Sequence, residues 1–209
     1  MDFAAARKVM VDSQVRVNDV TDRALQAALL AVPRERFLPP ERAYAAYAEI
    51  EPEIAAGRRL MLARDLSKLL MALDARAGET ALAMAGPYAA AVLARLGLTV
   101  TAQEGDPAVF GIVGPVLAEE GVAAVAAPLS TPSGEGFDII ISEAAVPGRP
   151  ETWLEALKVG GRMAVVERSG PVGKAVLYVR GEQGVSRREL FNAAPPVLAE
   201  LSPEPAFAL

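Results

Sequence analysis

From Gly78 to Asp106 the chain reads GETALAMAGPYAAAVLARLGLTVTAQEGD, and no other stretch narrows the possible folds as far. Thr80 to Met84 reads as a short strand and Ala85, Gly86 and Pro87 as a tight turn. Tyr88 to Leu96 follows as a helix, Gly97 as its stop, and Leu98 to Gln103 as a second strand that ends in Glu104. Two strands joined by one helix of this length are parallel neighbours with a right-handed crossover, half of a nucleotide-binding sheet. In such a unit the first turn passes close to the ligand, and an acid about 20 residues later accepts hydrogen bonds from ribose hydroxyls. Glu104 stands 18 positions after Gly86. The candidate cofactor contacts are therefore Ala85, Gly86 and Tyr88 at the turn and Glu104 at the strand end. A lone acid at a strand end is equally a solvated terminus, and this turn is poor in glycine.

The rest of the chain extends the same pattern. Phe3, Ala6, Val9 and Met10 share one side of a short helix. Asn18, Asp19 and Thr21 compete to cap a second helix, which Pro33 halts. In VPRERFLPPE, Phe37 and Leu38 are expected to anchor the connector while Arg34, Glu35 and Arg36 stay wet. A helix over 41 to 48 precedes a polar loop carrying Glu49, Glu51 and Glu53, then Gly57, Arg58 and Arg59. Such charge usually pairs with itself in solvent, although Arg58 and Arg59 could bind a carboxylate substrate. Leu66, Leu69, Leu70 and Leu73 mark the buried face of a helix from Ala63 to Asp74.

After Asp106, Gly111, Gly114 and Pro115 predict a shortened or kinked helix. VAAVA at 122 to 126 is a weak strand, and 128 to 136 a turn-rich loop. FDIIIS at 137 to 142 has the continuous apolar character of a central strand covered on both faces. A helix from Pro150 to Leu157 and a strand from Arg162 to Glu167 follow. VLYVR at 176 to 180 and VSRRELF at 185 to 191 form an antiparallel hairpin at one edge, and Ala193 to Leu209 an irregular tail. Strands alternating with helices place the chain in the α/β class.

Composition limits the chemistry. The sequence holds no cysteine and no histidine, which excludes disulfides, thiolate nucleophiles, the usual zinc sites and Ser-His-Asp catalysis. Any reaction rests on carboxylates, hydroxyls, Lys, Arg or positioning. A net charge of -5 gives no general field for phosphate backbones, so nucleic acid is not an expected partner. No 18-residue window is free of charge and no basic leader precedes an apolar run. No membrane association is expected, and the chain reads as soluble and cytoplasmic, without a metal. Oligomeric state is not readable.

Four phrases carry a family resemblance: VPRERFLP at 32 to 39, YAAAVLARLG at 88 to 97, FDIIISEAAV at 137 to 146 and LKVGGRMAVV at 157 to 166. In these the chain resembles the protein-L-isoaspartate O-methyltransferases, a branch of the S-adenosylmethionine-dependent methyltransferases. The resemblance implies a Rossmann-like doubly wound sheet of about seven strands, mostly parallel with an antiparallel edge. It also implies an N-terminal helical cap, so that residues 1–74 form a cap subdomain and 75–209 the methyltransferase domain. The implied activity is methyl transfer from S-adenosylmethionine to the free carboxylate of an isoaspartyl residue in a protein or peptide. That reaction suits a chain without His or Cys, because the sulfonium methyl is already activated and the protein mainly aligns the reactants.

The sequence departs from the family pattern at three places. Ala83 stands where the first strand carries an acid, and Ala85-Gly86-Pro87 replaces a turn with several glycines; Pro87 has no N–H to offer a ligand. Ala126, Ala127 and Pro128 stand where the family carries an acid toward the adenine. Gly57, Arg58, Arg59, Leu60 and Met61 replace a loop whose hydroxyls lie near the methyl acceptor. If each lost contact is worth about 1–3 kcal/mol, several together turn a micromolar cofactor affinity millimolar. The favoured expectation is a pseudoenzyme, a homologue with weak or lost cofactor binding that serves as a binding or scaffold module, with no catalytic residue assignable. The alternatives are an active divergent carboxyl methyltransferase using S-adenosylmethionine, and an α/β domain with an unrelated small-molecule site.

Overall fold

A computed structural model of the chain describes residues 1–202. The opening unit folds as read. β3 (Thr80–Met84) runs into α4 (Pro87–Arg95) and out into β4 (Thr99–Glu104), with Pro87 in the first helical turn, where its missing N–H costs nothing. These join β5 (Ala123–Ala126), β6 (Phe137–Val146), β7 (Leu157–Glu167), β8 (Gly173–Gly181) and β9 (Gly184–Ala193) in one seven-stranded sheet of order β5-β4-β3-β6-β7-β8-β9. The five strands from β5 to β7 are parallel, and β8 and β9 close the edge antiparallel. The chain goes outward from β3 through β4 to β5, then returns to place β6 on the other side of β3. The strand order therefore reverses between β3 and β6, where α/β sheets open their ligand crevice.

Alternation along the strands feeds two cores. Ala81, Ala83, Ile139 and Ile141 face one side, where α1 (Phe3–Met10), α2 (Arg23–Ala31), α3 (Ala63–Leu73), α4 and α5 (Pro107–Glu119) bury their stripes. Leu82, Met84 and Ile140 face the other, with Trp153 and Leu154 of α6 (Glu151–Glu155). Burial on both faces explains the uninterrupted apolar run of β6. Among the described residues, no helix is long and apolar enough to cross a membrane, and no group of three acidic residues could hold a metal ion.

Several expectations are corrected. Asp22, not Asn18, Asp19 or Thr21, caps α2, its carboxylate accepting from the amides of Ala24 and Leu25. The Ala/Tyr segment after Pro39 is a 3-10 turn from Pro40 to Ala45, not an α-helix. The polar loop contains a small hairpin, β1 (Glu53–Ala55) with β2 (Arg58–Arg59). α5 is continuous across Pro115, because Val109, Val113, Val116 and Leu117 bury one face firmly enough to outweigh the lost hydrogen bond.

Arg34 is not wet but 1% exposed, and its guanidinium donates to the carbonyls of Ala46 at 2.8 Å and Met61 at 2.6 Å. Glu35 is also drawn in, holding Arg7 and the Tyr47 hydroxyl. The segment after Ala193 is not irregular up to Ser202: Val197 bridges to Ala145 of β6, and Ala199–Leu201 form a 3-10 turn. The expectation for Pro203 to Leu209 lies outside the described residues.

Candidate functional site

Register builds the site. Met84 pairs with Gln103 on one side and Ser142 on the other, so the turn after β3 lies between the next residues of the two neighbouring strands, Glu104 and Glu143. Two carboxylates thus flank the start of α4 at the point where the strand order reverses.

Glu104 is 5% exposed, at the place a ribose-binding acid would occupy. Its Oε2 accepts from Arg58 Nε at 2.9 Å and its Oε1 from Arg58 Nη2 at 2.9 Å, a bidentate pair. Oε1 also accepts from the amides of Gly105 and Asp106. Burial opposes the charge on Arg58, but the hydrogen bonds and charges of Glu104 and Glu200 outweigh it and raise its pKa. Arg58, a candidate substrate contact, is therefore committed to the candidate cofactor acid. Arg59 points elsewhere and donates to the Glu51 carbonyl at 3.1 Å.

Glu143 is 1% exposed and takes the amides at the α4 N-terminus. Its Oε1 accepts from Ala89 N at 2.8 Å and its Oε2 from Met61 N at 3.4 Å. A helix N-terminus favours an anion, and here the anion is supplied by the chain itself. Burial pushes the Glu143 carboxyl up, against the opposing pull of Arg34 and of the amides of Ala89, Met61 and Tyr88. Tyr88 is fully buried and does not line an open crevice: its ring meets Phe37 edge-on and lies under the Arg34 guanidinium at 4.9 Å. Among the described residues the Tyr88 hydroxyl and Arg34 Nη1 have no hydrogen-bond partner. Burial raises the phenol of Tyr88 well above its ordinary value.

The turn itself is built without the usual glycine. Ala85 adopts φ of 48°, a left-handed conformation, and its amide donates to the Gln103 carbonyl at 3.0 Å. At Gly86 an added Cβ would meet the Glu143 amide at 3.5 Å, an ordinary contact. Beyond β5, Gln103 pulls the loop onto the sheet: its Nε2 donates to the carbonyls of Pro128 and Thr131, and its Oε1 accepts from Ser133 N. Leu129 is thereby fully buried beside Met84 and Trp153, whose indole N–H donates to the Leu129 carbonyl. What stays open is a hollow of about 390 Å³ between Gly57, Arg58, Asp106, Val197 and Glu200.

Of the residues read from sequence, Ala85, Gly86, Glu104 and Arg58 come together, Tyr88 turns into the core, and Arg59 stands apart. Glu143, Gln103, Arg34 and Glu200 were not found. An acid at the end of the apolar run FDIIISE was the available signal for Glu143. Nothing local marked Gln103 or Glu200, whose partners are distant in sequence.

No family model matches the chain. A protein-L-isoaspartate O-methyltransferase of Methylorubrum extorquens (strain PA1) is 32% identical over 205 residues, covering 93% of this chain and 87% of the relative. Protein-L-isoaspartate O-methyltransferase 1 of Rhodopseudomonas palustris (strain HaA2) is 33% identical over 178 residues, 82% of this chain and 71% of the relative. Among solved structures, a protein-L-isoaspartate O-methyltransferase from Plasmodium falciparum in complex with S-adenosyl-L-homocysteine superposes with a TM-score of 0.79. It is 13% identical and covers 93% of this chain and 98% of that one. A second structure of that name has a TM-score of 0.73 at 19% identity, over 94% of this chain and 66% of its own. At those identities the structures establish the Rossmann-like methyltransferase fold, and the sequence relatives establish kinship. The chain belongs to the protein-L-isoaspartate O-methyltransferase family.

Proposed function

We propose that this chain keeps the fold of its family with weak or lost S-adenosylmethionine binding and methyl transfer, and that it acts as a binding or scaffold module for a protein or peptide partner. The observation that carries this reading is the Arg58–Glu104 clamp. With Oε1 taken by Arg58 Nη2 and two backbone amides and Oε2 by Arg58 Nε, Glu104 keeps one lone pair, on Oε2, for a ribose diol that donates twice. Breaking a pair this buried costs about 3–5 kcal/mol, which ligand binding would have to supply.

The other sites support the same reading. The residues present do not fit the cofactor as arranged: Glu143 takes the helix amides, and Glu200 sits against Gly105. The division into a helical cap, 1–74, and a sheet domain beginning at 75 is part of this proposal.

Titration calorimetry of the native chain with S-adenosylhomocysteine tests it. No binding tighter than millimolar is expected, and a dissociation constant below about 100 μM would overturn the reading. One observation favours the alternative, an active carboxyl methyltransferase: the likeness to relatives of that name runs over most of the chain. That alternative requires Arg58 to leave Glu104, and labelled methyl transfer to an isoaspartyl peptide would establish it.

A further inference from the structure

Past β9 the chain turns back over the carboxyl end of the sheet and lies there as a bound peptide would. Arg168 Nη1 donates to the carbonyls of Ala194 and Pro195 at 2.7 and 2.8 Å. The segment then runs parallel to the end of β6: Ala145 N donates to the Pro196 carbonyl at 2.9 Å, and Leu198 N to the Ala145 carbonyl at 2.8 Å. Leu198 is fully buried in the core that holds Leu129 and Trp153. Two positions on, Glu200 Oε1 accepts from Arg58 Nη2 at 3.1 Å and Oε2 from Leu129 N at 3.4 Å. Its Oε2 lies 2.9 Å from where a Cβ on Gly105 would stand, so a side chain there would push the carboxylate aside.

These contacts are of the kind by which extended peptides are recognised: backbone pairing that tolerates sequence, one apolar socket and one charge. The pairing is a single bridge at Ala145 rather than a ladder, and Glu200 is 36% exposed on its side chain. A few local contacts hold the segment, so a competitor with the same contacts can replace it, against an effective concentration of the tethered segment on the order of millimolar.

We propose that the groove formed by the end of β6, Leu129 and Arg58 is a docking site for an extended segment of a partner protein. The matching segment carries a branched aliphatic residue and, two positions later, a carboxylate. The chain's own Pro196 to Glu200 holds the groove until that partner displaces it. This inference rests on the reading of the chain as a binding module, because the groove shares Arg58 with the candidate cofactor acid Glu104. The charge of Arg58 selects an acidic partner, and the socket at Leu198 excludes a polar residue there.

A fluorescent synthetic peptide, APPVLAELS, reads the groove by anisotropy against the full-length chain. The native chain should bind it weakly, because its own segment competes. Full-length Glu200→Ala, which loosens that segment, should bind at least about tenfold more tightly, and Leu198→Asp more tightly still. A peptide with its first leucine replaced by aspartate, or its glutamate by lysine, should lose at least about tenfold.

Circular dichroism melting identifies a variant that has failed to fold; if Leu198→Asp fails, Glu200→Ala decides. Equal binding by native and folded variant chains, or none by either, overturns the proposal. So does a concentration-dependent dimer of Glu200→Ala in sedimentation velocity that the peptide does not dissolve, which would make a second copy the occupant. The cofactor titration is separate: cofactor binding would refute the module reading, whereas failure of the peptide refutes the groove alone.

Discussion

Arg58 and Glu104 meet edge to edge, with Nε on Oε2 and Nη2 on Oε1, each at 2.9 Å, and with side chains only 12% and 6% exposed. At that burial solvent screens the pair little, and removing one partner leaves the other's charge stranded. Arg58→Ala should lower the stability by about 3–5 kcal/mol, Glu104→Gln by a similar amount, and the double variant by less than their sum. Urea unfolding of the four proteins measures the coupling. Additive losses would mean that the two groups do not depend on each other.

Glu143 predicts a pH dependence whose sign is fixed by its environment. Burial raises its carboxyl above the ordinary value of 4.5, so between that value and the folded one the native chain binds the proton more tightly than the unfolded chain. This contribution to stability is fully present below the ordinary value and is lost as the pH rises through the folded value. Glu51 and Asp65, also raised by burial, act in the same direction in native and variant alike. Glu143→Gln keeps an acceptor for Ala89 N but cannot ionise. The stability of native chain relative to variant should therefore fall as pH rises from about 4.5, as read from urea midpoints between pH 4 and 9. A difference that grows with pH would place Glu143 in a site that favours its charge.

The strand-turn-helix was legible because its signals are local: a proline at the first helical position, a glycine stop, and apolar runs of strand length. β6 was legible for the same reason, although it runs four residues beyond the apolar run FDIIIS, through the buried Glu143 to Val146. The site was half legible. Ala85, Gly86 and Glu104 could be placed by spacing, whereas the guanidinium that takes Glu104 lies 46 residues away and the carboxylate that joins it another 96 beyond. Nothing in a local window encodes such pairings. Arg34 was misread because a charged residue between prolines is usually wet. Its burial depends on two carbonyls and an aromatic ring that come from three other segments.

Asp138 ties the starts of β3 and β6. Its Oδ2 accepts from both the amide and the hydroxyl of Thr80 at 2.9 Å, and Lys158 pairs with Oδ1. Burial opposes its charge, but the hydrogen bonds from Lys158 and Thr80 outweigh it and hold the carboxyl below 3.8. Its contribution is therefore present above the ordinary value and lost as pH falls through the lower folded value. Because Lys158 is half exposed, most of the effect belongs to the two bonds from Thr80. Asp138→Asn should cost about 1–3 kcal/mol at neutral pH, shrinking toward pH 3, by chemical unfolding at each pH. A penalty that stays constant into acid would mean that the carboxylate's charge is not what Thr80 reads.

Ala85 tests whether the turn stores strain. A non-glycine residue at φ of 48° gives up about 1–2 kcal/mol relative to a right-handed conformation, and glycine would recover that. Against this, Ala85→Gly loses a buried methyl worth about 0.8 kcal/mol and gains freedom in the unfolded chain. The terms nearly cancel, so the substitution should change stability by less than about 0.5 kcal/mol. Ala90, equally buried but inside α4 without a positive φ, has no strain to release. Ala90→Gly should cost about 1.5–2 kcal/mol from lost methyl burial and helix propensity together. Urea unfolding of the two variants compares them directly. An Ala85→Gly loss as large as that of Ala90→Gly would show that the turn holds its left-handed residue without cost.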